Sequence, residues 1–141
     1  MTSRTRALQS LIRLHRTQVD EARAMMAQAL AEEHAAHRQL ENSQAAIENE
    51  REAARSDHTT PDAFRHWLPF GQEAVERARD ALHAATRASH QARETLMQAN
   101  AALKAATALL ERRQEEEKAV RARRELAEID DMSRRVRMIP G

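Results

Sequence analysis

The chain has 141 residues, 32% of them charged, with two glycines, three prolines, three aromatic residues, no cysteine and a formal net charge of +1. That is the composition of a coiled coil, a fold with a seam and almost no interior, so a buried catalytic pocket is not expected. Absence of cysteine rules out disulfides and thiolate metal sites, and no stretch is apolar for the ~20 residues that a membrane span needs. With no signal-peptide core at the N-terminus, the expected place is intracellular, at most peripheral to a membrane.

Thr2 or Ser3 can cap a first helix, predicted over about 4–55 and unbroken by glycine or proline. Its apolar stripe runs Leu8, Ile12, His15, Val19, Ala22, Met26, Ala29, Glu33, Ala36, Leu40, Ser43, Ile47, with small residues a heptad apart at Ala22, Ala29, Ala36 and Ser43. A connector is predicted over 56–71. There Thr60 before Pro61 reads as a cap and first turn, a short helix follows over about 61–68, and Pro69 with Gly71 breaks or kinks the chain before the next helix. Phe64, Trp67 and Phe70 all fall in this connector. They either plug the closed end of a hairpin or stand exposed as an anchor for a partner.

The second helix is predicted over about 72–137. A small residue returns every seventh place at Ala78, Ala85, Ala92, Ala99 and Ala106, and between them stand Leu82, Ser89, Leu96, Leu103 and Leu110. Such a stripe needs a facing helix, and the first helix supplies one, so the fold class is all-α: a long antiparallel two-helix coiled-coil hairpin, one domain over 1–141. Helices of roughly 50 residues at 1.5 Å per residue would make a rod on the order of 75 Å long. Setting Arg55 opposite Gln72 puts Arg4 opposite Arg123, with nothing to face the residues beyond. Near that point the seam turns polar at Arg113, Glu117 and Arg124. An apolar stripe then restarts in another phase at Leu126, Ile129, Met132, Val136 and Ile139. This end is either an amphipathic overhang that wants a protein partner or a frayed tail.

Charge is unevenly spread. Arg4, Arg6, Arg13 and Arg16 precede the first acid, residues 17–57 carry nine acids against four bases, and Arg134, Arg135 and Arg137 follow the last acid. Both basic ends are therefore expected at the open tip of the hairpin. Other constellations are weak. Glu33, His34 and His37 share a helix face but have no matching ligands on the second helix, and His83 and His90 read as solvated, so no metal or other cofactor is expected. No acid sits in a pattern that forces the perturbed pKa of an acid–base catalyst, and glycine-rich phosphate loops are missing. The C-terminal arginines are interleaved with acids and no aromatic residue, so nucleic acid is not an expected partner. A membrane-surface role for the last turns is a weaker alternative.

Length, two long helices, the aromatic stretch Phe64-Arg65-His66-Trp67-Leu68, and the run from Glu111-Arg112-Arg113 to Arg124-Glu125-Leu126-Ala127-Glu128-Ile129-Asp130-Asp131 together resemble the FliJ family. FliJ is the small coiled-coil component of the flagellar type III export apparatus, related to the YscO-type injectisome proteins. In the family's C-terminal pattern, Arg-x-Glu-Gln is followed by a hydrophobic residue and two acids. Arg123, Glu125 and Ile129-Asp130-Asp131 fit, and Leu126 stands where Gln is usual.

The resemblance implies a non-enzymatic, cytoplasmic stalk at the inner membrane, similar in fold to the gamma subunit of rotary ATPases. It would enter the hexameric export ATPase through Arg4, Arg6, Arg13, Ile129, Met132, Arg134, Arg135 and Val136. By the same resemblance it would meet the export gate protein FlhA through Gln39, Ser43, Ala46, Glu50, Trp67 and Ala74, and an escort role toward export chaperones belongs to the same picture. Free, it would be a monomer. An injectisome stalk and a purely structural homodimeric coiled coil remain the alternatives.

Overall fold

The computed structural model describes residues 3–56 and 61–138, all of them in two helices, α1 (Ser3–Ser56) and α2 (Pro61–Met138). The candidate caps Thr2 and Thr60, the turn around Asp57-His58-Thr59, and Ile139 lie outside the described residues. Two compact units make up the chain, one formed by Met1–Val19 with Ala99–Gly141 and the other by Asp20–Gln98.

In the unit Asp20–Gln98, α1 and α2 pack on the stripes read from the sequence. Ala22, Ala29, Ser43, Gly71, Val75, Ala78 and Ser89 are buried, while Met26, Leu40, Ile47, Leu82 and Leu96 are half-buried. Full burial falls mainly on the small residues because two helices cover only the seam between them, and longer side chains reach past its edge into water. Ser89 keeps its hydroxyl satisfied within α2 by donating to the Thr86 carbonyl at 3.0 Å.

One expectation for this unit is corrected. No break occurs at Pro69 or Gly71, and the predicted short helix 61–68 is the first two turns of α2. A proline inside a helix removes one backbone bond and crowds the carbonyl four residues back, at a cost of roughly 3 kcal/mol. Here Pro69 and Arg65 both lie on the exposed side, so water can serve that carbonyl. Packing anchors the helix on either side of the defect, through Phe64, Trp67 and Leu68 before it and Gly71 and Val75 after it.

Gly71 does not turn the chain, since its φ is not positive. Its role is room: a Cβ at this position would come within 2.7 Å of Trp67 Cη2, 2.8 Å of Cζ3 and 3.2 Å of Ile47 Cγ1. The outer edge of the indole and Ile47 of α1 thus both close on the space in front of the glycine. Phe64 joins the indole, ring centroids 6.3 Å apart and tilted by 31°. Phe70, in contrast, is 67% exposed. The aromatic trio is thus divided, two rings packed on the seam and one standing in solvent.

In the unit formed by Met1–Val19 and Ala99–Gly141, Ile12, Val19 and Ala106 are buried, and Leu8, His15, Leu103 and Leu110 half-buried. Thr5 is 1% exposed and donates its hydroxyl to Glu117 Oε1 at 2.9 Å. Thr5 continues the α1 stripe one step before Leu8, and Glu117 is the last seam position on α2 that is not exposed. Pairing therefore ends more than a helical turn earlier on α2 than the expected Arg4–Arg123 match. The shift has the direction expected from α2 beginning at Pro61 and not near Gln72.

Candidate interaction surface

From Lys118 to Met138 every residue of α2 is exposed, because Thr5, in the first turn of α1, already faces Glu117. This stretch stays helical through charge and propensity. Its acids, Glu125 to Asp131, stand between arginines on either side, Asp131 pairs with Arg135 at 3.5 Å one turn apart, and no glycine or proline interrupts it before Met138. Its apolar positions have nothing to cover them: Leu126 is 62% exposed, Ile129 58%, Met132 65% and Val136 69%.

The structure places the residues proposed to enter a ring in this same unit, but not in one cluster. Arg4 and Arg6 are exposed near the level of Glu117, and Arg13, exposed about 12 Å further along α1, donates to Ser10 Oγ at 3.0 Å. Ile129 and Val136 follow Glu117 by roughly 18 and 28 Å of helix. The basic residues of the two chain ends therefore form two bands along the axis rather than one tip. An open groove at the level of Thr5 and Glu117 is lined by Arg4, Thr5, Glu111, Arg113, Arg121 and Arg124. The Nε of Arg113 is buried there without a hydrogen-bond partner among the described residues.

The residues proposed for the gate contact all belong to the other unit. Gln39 and Glu50 are exposed, whereas Ala46, Trp67 and Ala74 are half-buried and Ser43 is buried at 9%. Ser43 is thus a seam residue, as its place in the heptad stripe indicates, and its side chain is spent on α2. Phe70 is the large exposed apolar side chain nearest to this group in sequence. Sequence reading had no means of separating it from Trp67, because the difference rests on α2 running straight through Pro69.

Among the described residues no group of three or more His, Cys, Asp or Glu side chains could hold a metal. His34, His83 and His90 are exposed, and His37 Nδ1 lies 3.3 Å from Glu41 Oε1. Among the same residues no helix is long and apolar enough to cross a membrane.

Two long helices packed on an alanine-rich seam, the second ending in a solvent-exposed stretch, define an all-α coiled-coil protein. Residues 4–138 match the family described as Flagellar FliJ protein, nearly the whole chain, and the chain belongs to the FliJ family. No curated protein and no solved structure matches it.

Proposed function

We propose that this protein is a non-catalytic stalk of the flagellar type III export apparatus, working at the cytoplasmic face of the membrane. In this reading the extension 118–138 enters the central opening of the hexameric export ATPase. The observation that carries it is the extension itself, an ordered helix whose apolar stripe and arginines face solvent with no intramolecular cover. A slender polar helix suits a ring opening, since it needs no deep pocket, and Ile129, Met132 and Val136 supply apolar contact while Arg4, Arg6, Arg13, Arg134 and Arg135 supply charge. The family's flagellar description favours this system over the injectisome.

The unit Asp20–Gln98 would meet the export gate. Gln39, Glu50 and the half-buried Trp67 remain candidates, Ser43 supports the seam behind them, and Phe70 is added by its exposure. Export chaperones are further partners of the same reading.

The test is hydrolysis by the purified export ATPase with and without this protein. Stimulation is expected, weakening as salt rises. The double substitution Ile129→Asp with Val136→Asp should abolish it at unchanged helix content. Full stimulation by that variant would remove the extension from the mechanism.

A further inference from the structure

We propose that residues 118–138 pair antiparallel with the same segment of a second copy of this chain. The exposed extension holds a heptad series of its own, Ala119, Ala122, Leu126, Ile129, Ser133 and Val136, with no charged member. One edge of that series carries Arg123, Asp130 and Arg137, and the other Lys118, Glu125 and Met132. Among the described residues neither Arg123 nor Asp130 takes part in an ion pair.

These edges choose both the direction and the register of pairing. With Leu126 set against Ile129 of the second copy, Ala122 meets Ser133 and Ala119 meets Val136, a smaller side chain opposite a larger one at each end. The same setting brings Arg123 beside Asp130 of the second copy, and two-fold symmetry makes that pair twice. Sliding by one heptad in one direction puts Asp130 against Asp130 and Arg123 against Arg137. Sliding in the other direction puts Arg123 against Arg123 and Asp130 against Glu116. A parallel pairing would set Glu125 beside Asp130 and Lys118 beside Arg123, like charges at each contact. One arrangement alone has opposite charges at its edges.

The contact is about 30 Å of helix, and its buried area, on the order of 1,000 Å², falls at the low end for specific interfaces. A weak, concentration-dependent dimer follows, with the hairpin itself monomeric when dilute. Since the pairing covers Ile129 and Val136, it would exclude docking of the same face elsewhere. It does not rest on the stalk reading, because it concerns the chain alone.

Sedimentation equilibrium of the full chain from about 10 µM to 1 mM tests it. A reversible monomer–dimer equilibrium is expected, weakened about tenfold or more by Asp130→Arg and likewise by Arg123→Asp, because each turns two attractions into two repulsions. Far-UV ellipticity confirms that each variant keeps its helices. Direction is read by cross-linking, for which the absence of native cysteine is convenient. Chains carrying Ala122→Cys and Ser133→Cys should be joined by a short thiol cross-linker when mixed, and much less when either is alone. A chain that stays monomeric at 1 mM, a dimer indifferent to both charge reversals, or self-cross-linking of a single variant as efficient as the mixture would each overturn the proposal.

Discussion

Replacing Gly71 with Ala sets two effects of known sign against each other. In a helix interior, Gly→Ala contributes about 1 kcal/mol of stability through backbone entropy. Against that, the new methyl would lie 2.7 and 2.8 Å from two carbons of the Trp67 ring and 3.2 Å from Ile47 Cγ1. Both ring distances are too short to stand, so the indole must lift off, and Ile47, half-buried in the seam, has little freedom to follow. Overpacking of this kind costs roughly 1–3 kcal/mol, so Gly71→Ala should be destabilising by up to ~2 kcal/mol despite its better helix propensity. Removing the indole reverses the sign, because in a Trp67→Ala background only the milder Ile47 contact opposes the methyl and the substitution should stabilise. Urea unfolding of the four chains in the cycle, followed by far-UV ellipticity, gives a coupling energy expected at about 1–3 kcal/mol. If Gly71→Ala raised stability equally in both backgrounds, the indole could not be lying on Gly71.

Thr5→Val should cost about 1.5–3 kcal/mol of local stability, since it removes a donor from a carboxylate at a buried contact; amide exchange over the first turns of α1 would report it, and unchanged protection would refute it. Ile12 and Ile129 make a controlled pair: Ile12→Ala, at a buried site, should cost roughly 2–4 kcal/mol in urea unfolding, whereas Ile129→Ala should stay within about 0.5 kcal/mol. Equal costs would mean that the extension is covered within the monomer. Ala106→Leu, at a seam position 7% exposed, should destabilise by about 1–3 kcal/mol, and a neutral outcome in the same assay would show a looser seam than the burial implies.

Heptad spacing made the seam legible, because each stripe position was fixed by arithmetic and needed no distant information. Every α1 position read as seam, from Leu8 to Ile47, is buried or half-buried, including the polar His15, Glu33 and Ser43. Extending the stripe by one step would also have found Thr5. The closed end was less legible, since proline and glycine carry local rules that packing can override. Pro69 and Gly71 signalled a break, yet the helix continues: the carbonyl that Pro69 leaves is on the wet side, and Gly71 is where an indole needs space. That single misreading propagated, because moving the start of α2 changes which α2 residue faces each α1 residue.

Register, in turn, decides how much of α2 is left without a partner. Had Arg4 faced Arg123, the uncovered stretch would have begun beyond it, leaving Ala119 and Ala122 beside the paired seam positions Glu117, Val120 and Arg124. With Thr5 fixed to Glu117, both join Leu126, Ile129, Ser133 and Val136 in one exposed series. The Thr5–Glu117 bond thereby sets the inner limit of the surface that this protein offers. Where apolar seam layers would tolerate a slip of one heptad at modest cost, a buried hydroxyl on a carboxylate would lose its partner altogether, so the polar pair specifies register more sharply than it adds stability. A Thr5→Val chain should accordingly show altered exposure at Ala119 and Ala122 before it shows global unfolding. Thiol labelling of Ala119→Cys and Ala122→Cys in both backgrounds measures this. Labelling rates unchanged by Thr5→Val would mean that the apolar layers hold the register alone.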